Sequence, residues 1–474
     1  MSSASLAADQ PVASVKASSE RLFARTALLP QGWAQDVAID IDGDRIVSVT
    51  AGAKPAGEIL DVVIPGIPNL HSHAFQRLVA GLAESRGARS DSFWSWRDFM
   101  FRVLGALDPD TLEDIYAFVF ASMVEAGYTS VAEFHYVHNN PDGGSYDNDA
   151  EMSLRAVAAA RTAGLPITHL PVVYCRGGFR DEPLSAHQRR LACELDRSQA
   201  IAIAVREAFK DWDSLNVGLA PHSLRAVAPS LLRPLADAVS ELGPASVMHI
   251  HVSEQVQEVQ ECLSVHGLTP IELLSRSVDL NERWSLVHCT QAKPEELAEI
   301  ARCGATVVLC PVTEANLGDG AIDLPALVQS GARFGIGSDS QASLDPWREF
   351  MLLEYSQRFR LRQRNIACDD RRSVGRFLSQ DCASAGAKAL GRSTGQLAPG
   401  YKADIVELRR DADPCLALLS GDQFLDAWIF AAHRSRPASV FVGGRRMVEN
   451  GMHKASRALK QRYLKAVERL RGQL

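Results

Sequence analysis

Between Val62 and Gly391 the chain repeats one rhythm: a short apolar run, then a longer amphipathic stretch. The runs DVVIPGIPNLH, TSVAEFH, ITHLPVVYC, LNVGLAPHS, SVMHIHVSE, SLVHCT, ATVVLCP and RFGIGSD read as buried strands. Stretches such as TLEDIYAFVFASMVEAG and KPEELAEIARCG carry apolar residues at helical spacing. Eight strands separated by helices within ~330 residues predict an α/β fold, a closed (β/α)8 TIM barrel of the metal-dependent hydrolase type over 63–391. The flanks differ. RLFARTALL and DVAIDIDGDRIVSVTA alternate with period two, with Asp42-Gly43 as a hairpin turn. Near the other end GYKADIVELR, DAWIF and PASVFVGGRRMVENG read as further strands, with Gly443-Gly444 as a turn. Segments 20–62 and 392–455 are therefore expected to build one small composite β-sandwich domain. Residues 1–19, rich in Ser and Ala, are expected as a flexible tail, and 456–474 as a C-terminal helix.

Composition narrows the classes. The 474 residues are 46% hydrophobic and 23% charged, which excludes wholesale disorder, a collagen-like repeat or a coiled coil. A net charge of −7 leaves no basic surplus with which to displace counterions from phosphates, so nucleic acid is not an expected partner. The local run RFRLRQR, Arg358 to Arg364, reads as a solvated helix face. Nine cysteines contain no Cys-x-x-Cys pair, and no run of 18 apolar residues occurs. With no apolar signal-peptide core in MSSASLAADQPVASVKASSE, the expectation is a cytoplasmic protein without a membrane segment.

The polar residues fall at the strand ends, where barrel enzymes place their sites. His71 and His73 stand at i and i+2 after strand one and share a face. Strand five ends in His249, His251 and Glu254, strand six in His288, and strand eight in Asp339. Histidines and a carboxylate at these four ends form a reasonable donor set for zinc or another first-row metal.

PGIPNLHSHAFQR, HIHVSEQ, LVHCT and GIGSDS, in that order, resemble the amidohydrolase superfamily and its single-metal deaminase branch. GQLAPGYKADIVEL resembles that family's return to its β domain. The resemblance implies His71, His73, His251 and Asp339 as ligands of one divalent ion, Zn2+ or alternatively Fe2+. It implies Glu254 as proton shuttle, and His288 with Asp339 as the groups that orient the attacking water. Strand four ends without the lysine that two-metal members use. His249 shares a face with His251, but Glu254 lies at the family's offset from His251, leaving His249 as a hydrogen-bonded core residue. His135 and His138 are expected in structural or substrate-facing roles, and His169, His187, His266, His433 and His453 in none.

The loop segments NLHSHAFQRLVAGL, FWSWRDFMFR, VAEFHYVH, APHSLRAV and CPVTEANLGDG resemble the formimidoylglutamate deiminase family. That implies a hydrolase of carbon–nitrogen bonds in linear amidines, converting N-formimidoyl-L-glutamate to N-formyl-L-glutamate and ammonia in histidine degradation. A homodimer is implied by the same resemblance. A dianionic small-molecule substrate calls for arginines. The matching positions are Arg97 and Arg225, with Gln76, Tyr136 and His222 as further polar contacts. Arg97 stacking on Trp94 or Trp96, and Arg225 capping a helix, are the structural alternatives; Phe93, Trp94 and Trp96 are expected to form a packed lid. Other functions left open are a guanine or thioether-nucleoside deaminase, a chlorohydrolase-like enzyme, and a non-catalytic barrel scaffold.

Overall fold

The computed structural model describes residues 20–84, 93–433 and 436–471. The tail expected over 1–19, and the side chains of Phe93 and Trp94 in the expected lid, lie outside the described residues.

Four strands open the fold: β1 (Glu20–Leu29), β2 (Gly32–Asp42), β3 (Arg45–Thr50) and β4 (Glu58–Pro65). The parallel set follows: β5 (Ile67–Ser72), β6 (Tyr128–His135), β7 (Ile167–Val173), β8 (Leu215–Val217), β9 (Ala220–Pro221), β10 (Met248–Val252), β11 (Trp284–His288), β12 (Thr306–Leu309) and β13 (Arg333–Ile336). The chain then returns through β14 (Ile405–Leu408), β15 (Ser439–Val442), β16 (Arg445–Glu449) and β17 (Met452–His453).

The parallel strands pair as β5-β6-β7-β8, with β9 on β7, and as β10-β11-β12-β13. Isolated parallel bridges join these two sheets along both edges: Ser72 to Asp339 on one side, Leu219 to Met248 and Ser223 to His251 on the other. The strands thus follow one another around a ring, with helices between them. Helix Pro109–Ala126 shows how firmly the sequence places these helices. Asp108 caps its start by accepting from the Thr111 amide at 2.7 Å, and Gly127 ends it at φ 108°.

Two expected strands are interrupted. DVVIPGIPNLH divides into β4, which joins the terminal sheet, and β5, which joins the ring. Gly66 lies between them, where a Cβ would sit 2.2 Å from Thr129. LNVGLAPHS divides at Gly218, whose position leaves no room for a side chain beside the Val247 carbonyl.

The terminal strands form one mixed path, β17-β16-β15-β14-β4-β1-β2-β3. The expected sandwich is thus one continuous sheet, curled enough for Arg45 on its last strand to bridge Lys402 just before β14. A separate apolar core fills it, including Leu22, Ile39, Ile46, Ile405 and Phe441. The turn between β15 and β16 is Gly443-Gly444, both at positive φ, whereas that between β2 and β3 is Gly43-Asp44, one residue beyond the Asp-Gly signal.

DAWIF is not a strand. It ends helix Gly421–Phe430, where Phe424, Leu425, Trp428 and Ile429 are the buried residues. Their i, i+1, i+4, i+5 spacing is helical, a pattern five residues are too few to reveal. The run Arg358 to Arg364 starts on helix Pro346–Leu361 and leaves it at Arg362, with Arg358 paired to Glu354 and Arg360 to Asp323. Helix Ser456–Arg471 packs on Pro109–Ala126 through a Tyr463–Phe118 ring contact and the Arg462–Asp114 ion pair. No helix among the described residues is long and apolar enough to cross a membrane.

Candidate metal centre and substrate pocket

His71 ends in the ring interior near the close of β5, and His73 follows as the residue before the short 3-10 helix Ala74–Leu78. His251 comes from β10, and Asp339 from the turn after β13. That turn passes so near β5 that a Cβ on Gly337 would lie 2.7–2.9 Å from His71 atoms. All four side chains are buried, and their donor atoms converge. His71 Nε2 lies 3.1 Å from His73 Nε2 and 3.0 Å from His251 Nε2, while Asp339 Oδ1 is 3.4 Å from both His71 Nε2 and His73 Nε2.

Hydrogen bonding alone does not account for this cluster. His73 Nδ1 donates to the Phe134 carbonyl at 2.9 Å, and His251 Nδ1 donates to the His222 carbonyl at 3.0 Å. A carbonyl only accepts, so the neutral rings turn bare Nε2 lone pairs inward. Both face His71 Nε2, which carries at most one proton and so cannot satisfy the two contacts together. A tetrahedral ion with ~2.0–2.1 Å bonds would hold its ligands ~3.3 Å apart, close to the separations seen. The four side chains fit a divalent metal. His249, by contrast, donates through Nε2 to the Ala389 carbonyl at 2.8 Å and takes no part. His288, Cys310 and Asp339 form a second grouping, but burial and nearby carboxylates push the Cys310 thiol well up, away from the ligating thiolate.

Glu254 and His288 stand beside the cluster, His288 Nε2 3.6 Å from Glu254 Oε1 and 3.8 Å from Asp339 Oδ2. Burial raises the Glu254 pKa, against the pull of His288 and Arg225. Burial alone would lower that of His288, yet Glu254, Glu314 and Asp339 together raise it to about 10. Asp339 is held below the usual carboxylate range: burial works against this, and His71, His288 and His73 outweigh it. Backbone strain concentrates here too. Ser253, His288, Cys289, Asp339 and Gln341 all adopt positive φ, from 45° to 73°. Non-glycine residues hold this conformation at a cost of order 1–3 kcal/mol each, typically where a site requires it.

A cavity opens above the cluster and is lined by every expected site residue except His71. Gln76 Nε2 donates to the Tyr136 hydroxyl at 2.5 Å. The His222 ring sits 4.7 Å from Tyr174 and 5.0 Å from His251. Arg97 and Arg225 share this wall. Burial lowers the Arg97 pKa, and the Arg225 charge lowers it further, so the two guanidiniums feel one another. Arg97 stands 5.8 Å from the Phe101 ring centroid.

The residues not singled out beforehand are Glu314, Tyr174, Thr313 and Ser340. Glu314 Oε1 lies 3.3 Å from His288 Nδ1 and accepts from the Cys310 amide at 2.9 Å, so it orients the His288 ring. It sits on the short helix after β12, and the rule that found the other strand ends points to it as well. His135, His138 and His169 are fully buried, with the His135 ring centroid 5.7 Å from that of His138 and 5.1 Å from that of His169.

A parallel ring with an interior metal-donor cluster at its carboxyl ends defines a metal-dependent hydrolase class, and comparison bears this out. The pattern of the amidohydrolase family matches residues 62–447, and the chain belongs to that family. Within it the relation is to the formimidoylglutamate deiminases. Residues 20–58 match the N-terminal domain of formimidoylglutamate deiminase HutF, and the formimidoylglutamate deiminase of Pseudomonas aeruginosa is 43% identical over 91% of this chain and 95% of its own. The 8-oxoguanine deaminase of the same organism is 26% identical over 86% of this chain and 89% of its own. A crystal structure of an amidohydrolase from Brucella melitensis superposes with a TM-score of 0.90 at 41% identity, covering 95% of this chain and 99% of that one. An adenosine deaminase from Xanthomonas campestris, solved with bound zinc, shares the fold at a TM-score of 0.79 and 20% identity, covering 95% and 98%.

Proposed function

We propose that the protein hydrolyses N-formimidoyl-L-glutamate to N-formyl-L-glutamate and ammonia, as a step of histidine degradation. The observation that carries this is the placement of Arg97 and Arg225 on one wall of the cavity whose floor is the metal-donor cluster. Burial and the Arg225 charge together lower the Arg97 pKa, and a dicarboxylate with an amidine tail offers both guanidiniums paired acceptors. A flat, neutral purine ring does not. The 43% identical relative supports the same substrate.

His71, His73, His251 and Asp339 would hold one divalent ion, which we take to be zinc. Bound there, it supplies Lewis acidity that makes water a competent nucleophile near neutral pH. The chain does the rest. Arg97 and Arg225 hold the two carboxylates, with Gln76, Tyr136 and His222 completing the polar wall. The water oxygen adds to the formimidoyl carbon while a Glu254 carboxylate oxygen takes its proton. Glu254 then passes that proton to the amino group of the adduct, which forms from the protonated amidine, so that the C–N bond breaks and ammonia leaves, while the adduct hydroxyl gives up its remaining proton to solvent as the formyl C=O forms. His288, oriented by Glu314, and Asp339 align the water and stabilise charge in the tetrahedral adduct. We place this activity in the cytoplasm, and the family resemblance implies a homodimer. The test is ammonia release by the zinc-loaded protein from N-formimidoyl-L-glutamate, guanine and an adenosine thioether. Rapid release from the first alone is the expected outcome; none from it, or equal release from all three, would refute the substrate.

A further inference from the structure

We propose that Glu133 is a positioning residue for the metal centre, the anchor of a buried hydrogen-bonded brace that fixes His71, His73 and Asp339 from behind. The argument starts from strand register. Asn69 pairs with Val131 and Ser72 with Glu133, so three steps along β5 oppose two along β6. This bulge re-aims the end of β5, as bulges beside active sites do, and it breaks the ladder where the His71-Ser72-His73 run must be held. Glu133 takes over what the ladder gives up. Its carboxyl accepts from Ser72 Oγ at 2.6 Å and from the Ala74 amide at 2.9 Å, gripping the chain on both sides of His73. The brace continues across the seam of the ring. Gln341 Nε2 donates to Ser72 Oγ at 2.9 Å and to the Asp339 carbonyl at 2.8 Å.

Glu133 lies outside the reaction space. On β6 the Phe134 ring packs against the His71 and His251 rings, so Glu133 points to the opposite face, toward Tyr116 on helix Pro109–Ala126. Glu133, Ser72, Gln341 and Tyr116 are all fully buried. The groups acting on the Glu133 carboxyl are Ser72, Ala74 and Tyr116, with no cation among them, and burial raises its pKa to about 8. A buried acid without a counter-ion costs stability. What it holds is the reason to keep it.

The inference rests on the metal-site reading, and its test does not depend on the substrate. Zinc affinity would be measured by competition with a chromophoric chelator for the wild type, Glu133→Gln, Glu133→Ala and Ser72→Ala. Glu133→Ala should bind zinc ~10–100-fold more weakly, the usual cost of losing a group that orients ligands. Glu133→Gln should recover most of that loss, because its carbonyl still accepts from the Ala74 amide and Ser72 can reverse its hydroxyl. Folded Glu133→Ala with wild-type affinity would overturn the brace. So would a glutamine variant as weak as the alanine one, which would point to charge rather than hydrogen bonding. Should Glu133→Ala not fold, Ser72→Ala carries the test: weaker zinc binding supports the brace, and unchanged affinity refutes it. A wild-type protein that bound no zinc would instead refute the metal site itself.

Discussion

Single side chains divide into those that define the chemistry and those that support them, and substitution should separate the two. Glu254→Gln keeps a similar shape but cannot carry out the proposed proton transfer, so metal content by elemental analysis should hold while kcat falls ~10²–10⁴-fold. Arg97→Met and Arg225→Met each remove a charged hydrogen-bonding partner worth ~1.5–3 kcal/mol, so kcat/KM should drop ~10–150-fold, again with metal retained. Much of this was legible from sequence. His71 and His73 were visible because strand periodicity puts i and i+2 on one face, and Asp339 because it stands between serines at a strand end. Glu133 was not, and Glu314 was within reach only of the strand-end rule. Neither forms a spaced motif with what it supports, since Glu314 reaches His288 across 26 residues and Glu133 reaches Ser72 across 61.

Among the elements, the approach of the turn after β13 to β5 sets a tight constraint at the site itself. A methyl group at position 337 would press on the His71 backbone, which cannot swing aside as a flexible side chain could. Gly337→Ala should therefore cost about 1–3 kcal/mol in unfolding free energy and weaken zinc binding, as denaturant titration and chelator competition would show. In the terminal sheet, Arg21 on β1 grips Asp40 on β2 at 2.6 Å. The Arg21 bond, helped by Ser48, holds the Asp40 carboxyl down at about 2. A depressed folded-state pKa stabilises above the unfolded value of ~3.9 and ceases to as pH falls toward 2. The gap in Tm between wild type and Asp40→Asn should thus narrow from pH 5 to pH 2, and both groups are exposed enough for the gap to be small throughout. Most elements could be read from periodicity and caps. DAWIF could not, because its helical partners Phe424 and Leu425 lie just before it. Nor could the division of DVVIPGIPNLH, because what excludes a side chain at Gly66 is Thr129, 63 positions away in sequence.

For the molecule as a whole, the C-terminal helix is held by buried Leu459, Ala466 and Leu470 and by the pairing of Arg462 and Arg469 with Asp114. Removing 456–474 should cost about 4 kcal/mol, from two buried leucines at about 2 kcal/mol each, and lower the melting temperature without changing metal content. A wider consequence follows from the two seams of the ring. His71 and His73 lie at and just after the end of β5 in one sheet, while His251 on β10 and Asp339 just after β13 come from the other. Each half-ring brings two donors, so neither could grasp an ion firmly by itself. The backbone bonds from Asp339 N to the His71 carbonyl and from His251 N to the His222 carbonyl cross the seams at the donors themselves. An ion there acts as a clasp, and its binding energy is available only to the assembled ring. Stripping it with a chelator should therefore speed hydrogen exchange first at the amides of His73, His251 and Asp339. The halves would loosen from each other before either came apart.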